Sequence, residues 1–252
     1  MRVDLFSLFP EVFQPYLEIS ILKRAIQRGL LEVHAHNVRD WASDKHHTTD
    51  DTPYGGGGGM VMKPEPVFTS VESVLGSPPS CPVFLLCPQG RVFNQQIARE
   101  LAQHEHLAMI CGRYEAFDER IREHLVTDVI SIGDYVLTGG ELPALIVLDA
   151  VARLIPGVLG DDEATLDDSF STDGLLEYPQ YTKPPVFRGW EVPQVLQQGN
   201  AAEQDKWKRQ QSLIRTWEWR PDLLETANLS QKDLRFLEQY RAQKDENEKL
   251  QN

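Results

Sequence analysis

The sequence predicts an α/β domain with a mostly parallel sheet, followed by a small all-helical domain. Three observations carry this expectation. Short strand-type apolar runs alternate with helical periods through about residue 155, the pattern of a parallel sheet with crossover helices. Residues 161–175 then form an acidic stretch without hydrophobic period and read as a flexible linker. Beyond it only helical spacing recurs, which sets the domains at 1–160 and 176–252.

Residues 2–8 read as a strand, marked by Val3, Leu5 and Leu8 and closed by Pro10. Residues 11–28 read as a helix, with Ile19, Leu22, Ala25 and Ile26 near 3.6 spacing and Gly29 as its stop. A strand over 31–37 precedes a polar loop, 40–63, that holds five consecutive glycines at 55–59. A helix at 64–75, a buried strand at 82–87 and a turn at Pro88-Gln89-Gly90 follow. Next come a helix at 93–103, a strand at 107–111, a charged helix at 117–125 and a strand at 128–132. After Gly140 lies a helix that is apolar on nearly every face, with only Asp149 and Arg153 charged between residues 142 and 155. Such a helix is buried all round; in a chain this size, that implies a subunit interface over one side. Thr138 and Glu141 fit a capping box at its start, with Pro143 in the first turn. Later helices are expected at 193–199, 201–218, 221–228 and 230–244, before a frayed tail. In the second of these, Trp207, Ile214 and Trp217 share a face that should pack inward, while Lys208 and Arg215, with Arg209 beside them, face outward.

The formal net charge of −13 argues against a polyanionic partner for the chain as a whole, although binding answers to the local field of a patch. No apolar run reaches the roughly 18 residues of a membrane span, and Asp4 and Pro10 break any signal-peptide core. A cytoplasmic protein with no membrane contact is expected. Cys81, Cys87 and Cys111 are too few and too scattered for a disulfide framework and read as thiols of a reducing compartment. The pair His46-His47 lacks zinc spacing, and no metal site is read.

Ligands of open α/β sheets sit beyond the C-terminal ends of strands. Three glycine-marked loops qualify: Leu86-Cys87-Pro88-Gln89-Gly90, Cys111-Gly112-Arg113-Tyr114-Glu115, and Ser131-Ile132-Gly133-Asp134-Tyr135-Val136-Leu137-Thr138-Gly139-Gly140-Glu141. Each alone is as readily a plain strand-to-helix turn; three on successive units point to one shared ligand site. No G-x-G-x-x-G follows the first strand, and glycines 55–59 lack a Gly-Lys-Ser/Thr ending. Those absences exclude an ordinary dinucleotide site and a P-loop. The glycine run reads as a mobile loop, either a plain linker or a lid.

At these loops the chain resembles the TrmD-type tRNA (guanine-N1)-methyltransferases of the SPOUT superfamily. The likeness also covers Asp51-Thr52-Pro53-Tyr54 with the glycine run, Asp118-Glu119-Arg120, the whole of 131–160, Asp168-Ser169-Phe170, Gly174-Leu175-Leu176-Glu177-Tyr178-Pro179, Tyr181-Thr182-Lys183-Pro184, Arg188-Gly189-Trp190 and Trp207-Lys208-Arg209. Two positions depart from the family's pattern. Ala116 stands where glycine is usual, and Lys183 where arginine is common, so the charge stays but the bidentate fork is lost.

The resemblance implies a deep trefoil knot in the C-terminal part of the sheet domain, which no periodicity would predict. It implies S-adenosyl-L-methionine as methyl donor, held in knot loops 86–90, 111–115 and 131–140, and a homodimer with its active site at the interface. The implied substrate is the tRNA anticodon stem-loop, methylated at N1 of the guanosine at position 37, just 3′ of the anticodon. The C-terminal helices would supply RNA contacts. Guanine N1 carries a proton, so the reaction needs a base for that proton and a positive donor for the charge that moves to O6. By resemblance these are Asp168 and Arg153, while Glu115 and Glu177 meet the amino group or ribose of the cofactor. Without the family, Asp168 reads as a linker acid beside Asp167 that caps a helix or turn, and Asp149 and Arg153, four apart, as an intrahelical salt bridge, a weak reading in so apolar a helix because burying a charged pair often costs more than it returns. Whether Mg2+ takes part is not readable from sequence. Two alternatives remain. Another SPOUT RNA methyltransferase, acting on a ribose hydroxyl or a different RNA, would depend less on Asp168. A non-catalytic RNA-binding dimer would bind no S-adenosyl-L-methionine.

Overall fold

The computed structural model describes residues 1–160, 167–170 and 173–251. The chain divides into two compact units, Met1–Asp162 and Glu163–Asn252. Much of the expected linker, 161–166 and 171–172, lies outside the described residues.

In the first unit, five strands build one sheet: β1 (Arg2–Ser7), β2 (Glu32–Asn37), β3 (Val83–Val92), β4 (His106–Cys111) and β5 (Asp128–Ser131). Their order is β2-β1-β4-β3-β5, and every neighbouring pair is parallel. Helices α1 (Ser20–Gln27), α2 (Pro64–Leu75), α3 (Gln95–Leu101), α4 (Glu119–His124) and α5 (Glu141–Ala152) connect and cover it. The strands are apolar on both faces because both are covered. Val3, Leu5 and Met109 pack with α1, α3 and α5 on one side. Phe6, Ile110 and Leu85 pack with Val67, Val71 and Leu75 of α2 on the other. Asp4 is fully buried in this core and accepts hydrogen bonds from His36 (2.6 Å), His106 (2.7 Å) and Arg2 (2.9 Å).

Three expectations need correction. The helix expected over 11–28 is broken: Pro15 sits in a separate turn, Gln14–Leu17, and Ile19 is extended before α1 begins. Proline lacks the N–H that would carry the ladder through. Pro88-Gln89-Gly90 is no tight turn; β3 continues to Val92, and its pairing with β5 shifts between Leu86 and Arg91. The extra residues bulge out of the sheet, as an irregular ladder requires. The loop 40–63 is not structureless, because Asp50–Asp51 pairs with Val61–Met62, which pairs in turn with Ala116–Phe117.

The second unit contains α6 (Ala201–Trp219) and α7 (Gln231–Gln251), a 3-10 helix at Pro221–Glu225 and a short helix at Gln194–Gln197. It is not helical throughout, since Val186–Phe187 and Trp190–Glu191 form an antiparallel hairpin. Leu175, Leu213 and Leu237 form its core. The inward face of α6 differs from the expected one. Ser212, Leu213 and Thr216 are buried, whereas Trp207 and Ile214 are only partly covered. Thr216 donates to the Ser212 carbonyl and accepts from the Leu176 N–H, so its polar atom is satisfied where an indole would need a partner. Arg209 does not face outward with Lys208. It bonds Asp173 (2.5 Å) and Asp233 (2.9 Å), tying α6 to α7 and to the start of the unit. Among the described residues, no helix is long and apolar enough to cross a membrane.

Candidate active site

The C-terminal ends of β3, β4 and β5 open into a cleft of about 320 Å3. Leu86, Ile130 and Pro143 are among its apolar lining, and Gly112, Gly133, Gly139 and Gly140 contribute only main chain to it. The structure brings together Leu86, Pro88, Gln89, Gly112, Arg113, Tyr114, Glu115, Ser131, Ile132, Gly133, Tyr135, Val136, Leu137, Thr138, Gly139 and Gly140 around this cleft. Cys87, Phe117, Ile130 and Pro143 join them. Ile130 and Pro143 flank a glycine-marked loop and could have been added from sequence; nothing in the sequence singles out Phe117.

Three residues of the expected set do not line the cleft. Gly90 is structural instead, because a side chain there would fall on the backbone of Val129 and Ile130. Asp134 is exposed. Glu177 belongs to the second unit, where its N–H bonds the Ser169 hydroxyl at 2.9 Å.

The cleft is assembled by close backbone contact and by one buried carboxylate. The Gly140 N–H bonds the Gly112 carbonyl at 2.9 Å, and a Cβ at Gly140 would lie 2.7 Å from Cys111 Cα. Only glycine lets these two loops meet. Glu141, the first residue of α5, is 2% exposed. One of its oxygens accepts from the Ser7 hydroxyl at 2.6 Å and the other from Arg113 Nε at 2.9 Å. Arg113 also reaches the Thr138 carbonyl at 3.3 Å and lies over the Phe9 ring. The expected Thr138–Glu141 capping box is therefore not made: α5 starts without a side-chain cap, and Glu141 serves as a hub for the end of β1 and two cleft loops. Burial pushes the thiol of Cys111, beside the cleft loops, well above its ordinary range, so it stays neutral.

The glycine run lies beside this cleft. The Glu115 N–H bonds the Met60 carbonyl at 3.1 Å, and Gly59 packs against the Glu115 side chain. Ala116 sits in a short strand with an ordinary backbone, so it replaces glycine without strain.

Arg153 closes α5 at its C-terminal end and is exposed. Asp149 accepts from the Tyr16 hydroxyl at 3.3 Å. In the second unit, Asp168 lines a polar hollow of about 250 Å3 with Asp167, Asp173, Tyr178 and Lys208. Asp167 accepts from the Tyr178 hydroxyl at 2.9 Å, and Lys208 lies over the Tyr178 ring; hydrogen bonding with Tyr178, helped by the nearby charges of Asp167 and Asp205, holds its ammonium pKa above the ordinary value. Among the described residues, no cluster of His, Cys, Asp and Glu could hold a metal ion.

The family described as tRNA (Guanine-1)-methyltransferase TrmD matches residues 1–226. A tRNA (guanine-N(1)-)-methyltransferase of Dehalococcoides mccartyi is 57% identical over 244 residues, 96% of this chain and 98% of that protein. One from Moorella thermoacetica is 57% identical over 241 residues, 95% of this chain and 96% of that protein. One from Staphylococcus epidermidis is 55% identical over 241 residues, 96% and 98% respectively. Likeness at this level along almost the whole chain, cleft loops included, places the protein in the TrmD family of tRNA (guanine-1)-methyltransferases.

Proposed function

We propose that this chain transfers a methyl group from S-adenosyl-L-methionine to N1 of the guanosine at position 37 of tRNA, 3′ of the anticodon, and does so in the cytoplasm as a homodimer. The observation that carries this reading is the glycine-lined cleft at the strand ends in a chain that belongs to the family. The cleft suits the cofactor: an apolar lining takes a flat adenine, and the main-chain groups of 131–140 can bond its ring nitrogens. Glu115 on the rim offers a carboxylate to the ribose or ammonium, and Glu177 is a further candidate. When bound, S-adenosyl-L-methionine supplies a methyl group made electrophilic by its sulfonium.

The protein's own residues then act on the guanine. Asp168 takes the N1 proton, which exposes the lone pair that is to be methylated. Arg153 compensates the charge that moves onto O6. Lys208 and Arg215 contact RNA phosphates. In this reading residues 1–160 hold the cofactor and 176–252 bind tRNA. Loops 86–90, 111–115 and 131–140 would belong to a trefoil knot, as in the family. The second subunit would cover exposed apolar residues of the first unit, Leu142 and Ile146 of α5 among them, which are 58% and 47% exposed.

Incubating the protein with labelled S-adenosyl-L-methionine and an unmodified tRNA transcript should give 1-methylguanosine at position 37. A ribose-methylated nucleoside, or the same product at another position, would overturn the reading.

A further inference from the structure

Residues 181–190 are exposed without interruption, although they include Tyr181, Phe187 and Trp190. Trp190 is 68% and Phe187 54% exposed. The segment is nonetheless built. Phe187 faces Trp190 across a two-residue turn, Arg188-Gly189, whose φ angles are +54° and +85°. Both values are positive, as a tight hairpin turn of the mirror-image type demands. Such a turn favours Asn or Gly at its first position, yet arginine stands there against that backbone preference. A side chain kept at a disfavoured backbone angle suggests that the side chain itself is wanted. Its guanidinium lies over the Phe187 ring, 5.2 Å from the centroid, and the two aromatic rings are 6.1 Å apart.

Charge points the same way. The chain carries a net −13, but residues 179–220 hold seven basic against four acidic residues. Lys183 and Arg188 flank the aromatic tip, with no acid between residues 181 and 190. Exposed indole and phenyl rings beside cationic side chains are the means by which proteins hold unpaired nucleotides: bases stack on the rings, and phosphates meet the cations.

We propose that the hairpin Val186–Glu191 is a stacking platform for an unpaired nucleotide of the RNA substrate, with Trp190 as the stacking ring and Lys183 and Arg188 as phosphate contacts. This rests on the RNA methyltransferase reading above. It adds to the Lys208 and Arg215 patch a surface that supplies base contacts.

The test uses the full-length protein and a fluorescent, unmodified anticodon stem-loop transcript, with anisotropy measured over a series of salt concentrations. Trp190→Ala should raise Kd by about 5- to 150-fold, the range for losing one stacked base, and Trp190→Phe should recover most of the loss. Lys183→Gln with Arg188→Gln should lower the salt slope by about one to two. Calorimetric affinity for S-adenosyl-L-methionine and the sedimentation coefficient should stay unchanged in all variants. If wild type binds the transcript and the variants bind it equally well at the same slope, the platform is wrong and the RNA reading stands. If wild type binds no RNA, both fall. If Trp190→Ala changes the sedimentation coefficient together with RNA binding, the hairpin is a contact between copies of the chain, and the proposal is overturned.

Discussion

At the scale of single residues, the cleft depends on one carboxylate. Glu141 is nearly inaccessible, and both of its oxygens are engaged, by Ser7 and Arg113. A buried charge of this kind is stable only with its partners, and neutralising it leaves Arg113 facing an amide. Glu141→Gln keeps the shape and the bond to Ser7 but loosens Arg113 and, through it, the Thr138 end of the loop. Cofactor affinity should fall about tenfold or more with the far-ultraviolet circular dichroism preserved. Equal affinity by calorimetry would mean that the network does not order the loop. Asp168 offers a sharper case, because Asp167 is its neighbour with the same charge. Asp167 is bonded to Tyr178; Asp168 is the residue assigned to the N1 proton. Asp168→Asn should cut methyl transfer by about 10²–10⁴-fold with both binding steps intact, and Asp167→Asn by far less. Equal losses in the two variants would assign the effect to the charge of the segment.

At the scale of elements, α5 shows what apolar composition can and cannot reveal. Its spacing predicts burial on every side. Within one chain, Ala144, Val147, Leu148 and Val151 are buried, but Leu142 and Ile146 are 58% and 47% exposed. These two are one turn apart on the helix, and Tyr16, itself exposed, bonds Asp149 of the same helix. In the proposed homodimer a second chain would cover these residues. Ile146→Asp should therefore shift the protein toward monomer in sedimentation at micromolar concentration, and a wild type that is itself a fully active monomer would contradict the assignment. The strands were legible because each is a short apolar run between turn residues, and the cleft loops because glycine marks them. What sequence spacing could not supply was long-range: the bulge that carries β3 past Pro88, the pairing of Val61–Met62 with Ala116–Phe117, and the use of Glu141 by Ser7 rather than as a cap. The inward face of α6 was legible in part: Trp217 packs against the core as its spacing suggests, but the fully buried positions are Ser212, Leu213 and Thr216, with the Thr216 hydroxyl satisfied by the Ser212 carbonyl.

At the scale of the whole molecule, the two units are each pinned by a buried or nearly buried aspartate, and this sets how the protein meets acid. Burial pushes the Asp4 carboxyl up, but the hydrogen bonds from His36, Arg2 and His106 outweigh it and hold its pKa far below the ordinary carboxylate value. Asp233 likewise feels burial, and the bonds from Arg209 and Ser230 overcome it, leaving a pKa of about 2. A carboxylate with a depressed folded-state pKa contributes stability that is complete above its unfolded value, roughly 3.9, and is lost as pH falls through the folded one. For Asp233 the shift corresponds to on the order of 2 kcal/mol at neutral pH. Stability should thus be flat near neutrality and fall steeply between about pH 4 and 2. Asp4→Asn and Asp233→Asn act on different units. Each should lower stability toward urea at pH 7 and, in its own unit, flatten the fall with acid, since the group that binds the proton is gone. Urea titrations from pH 7 to 2, followed by tryptophan fluorescence, separate the units: Trp41 is the one tryptophan of the first, while the other four lie in the second. If Asp233→Asn instead left the acid transition of the second unit as steep as in wild type, the Arg209 network would not be the group that titrates.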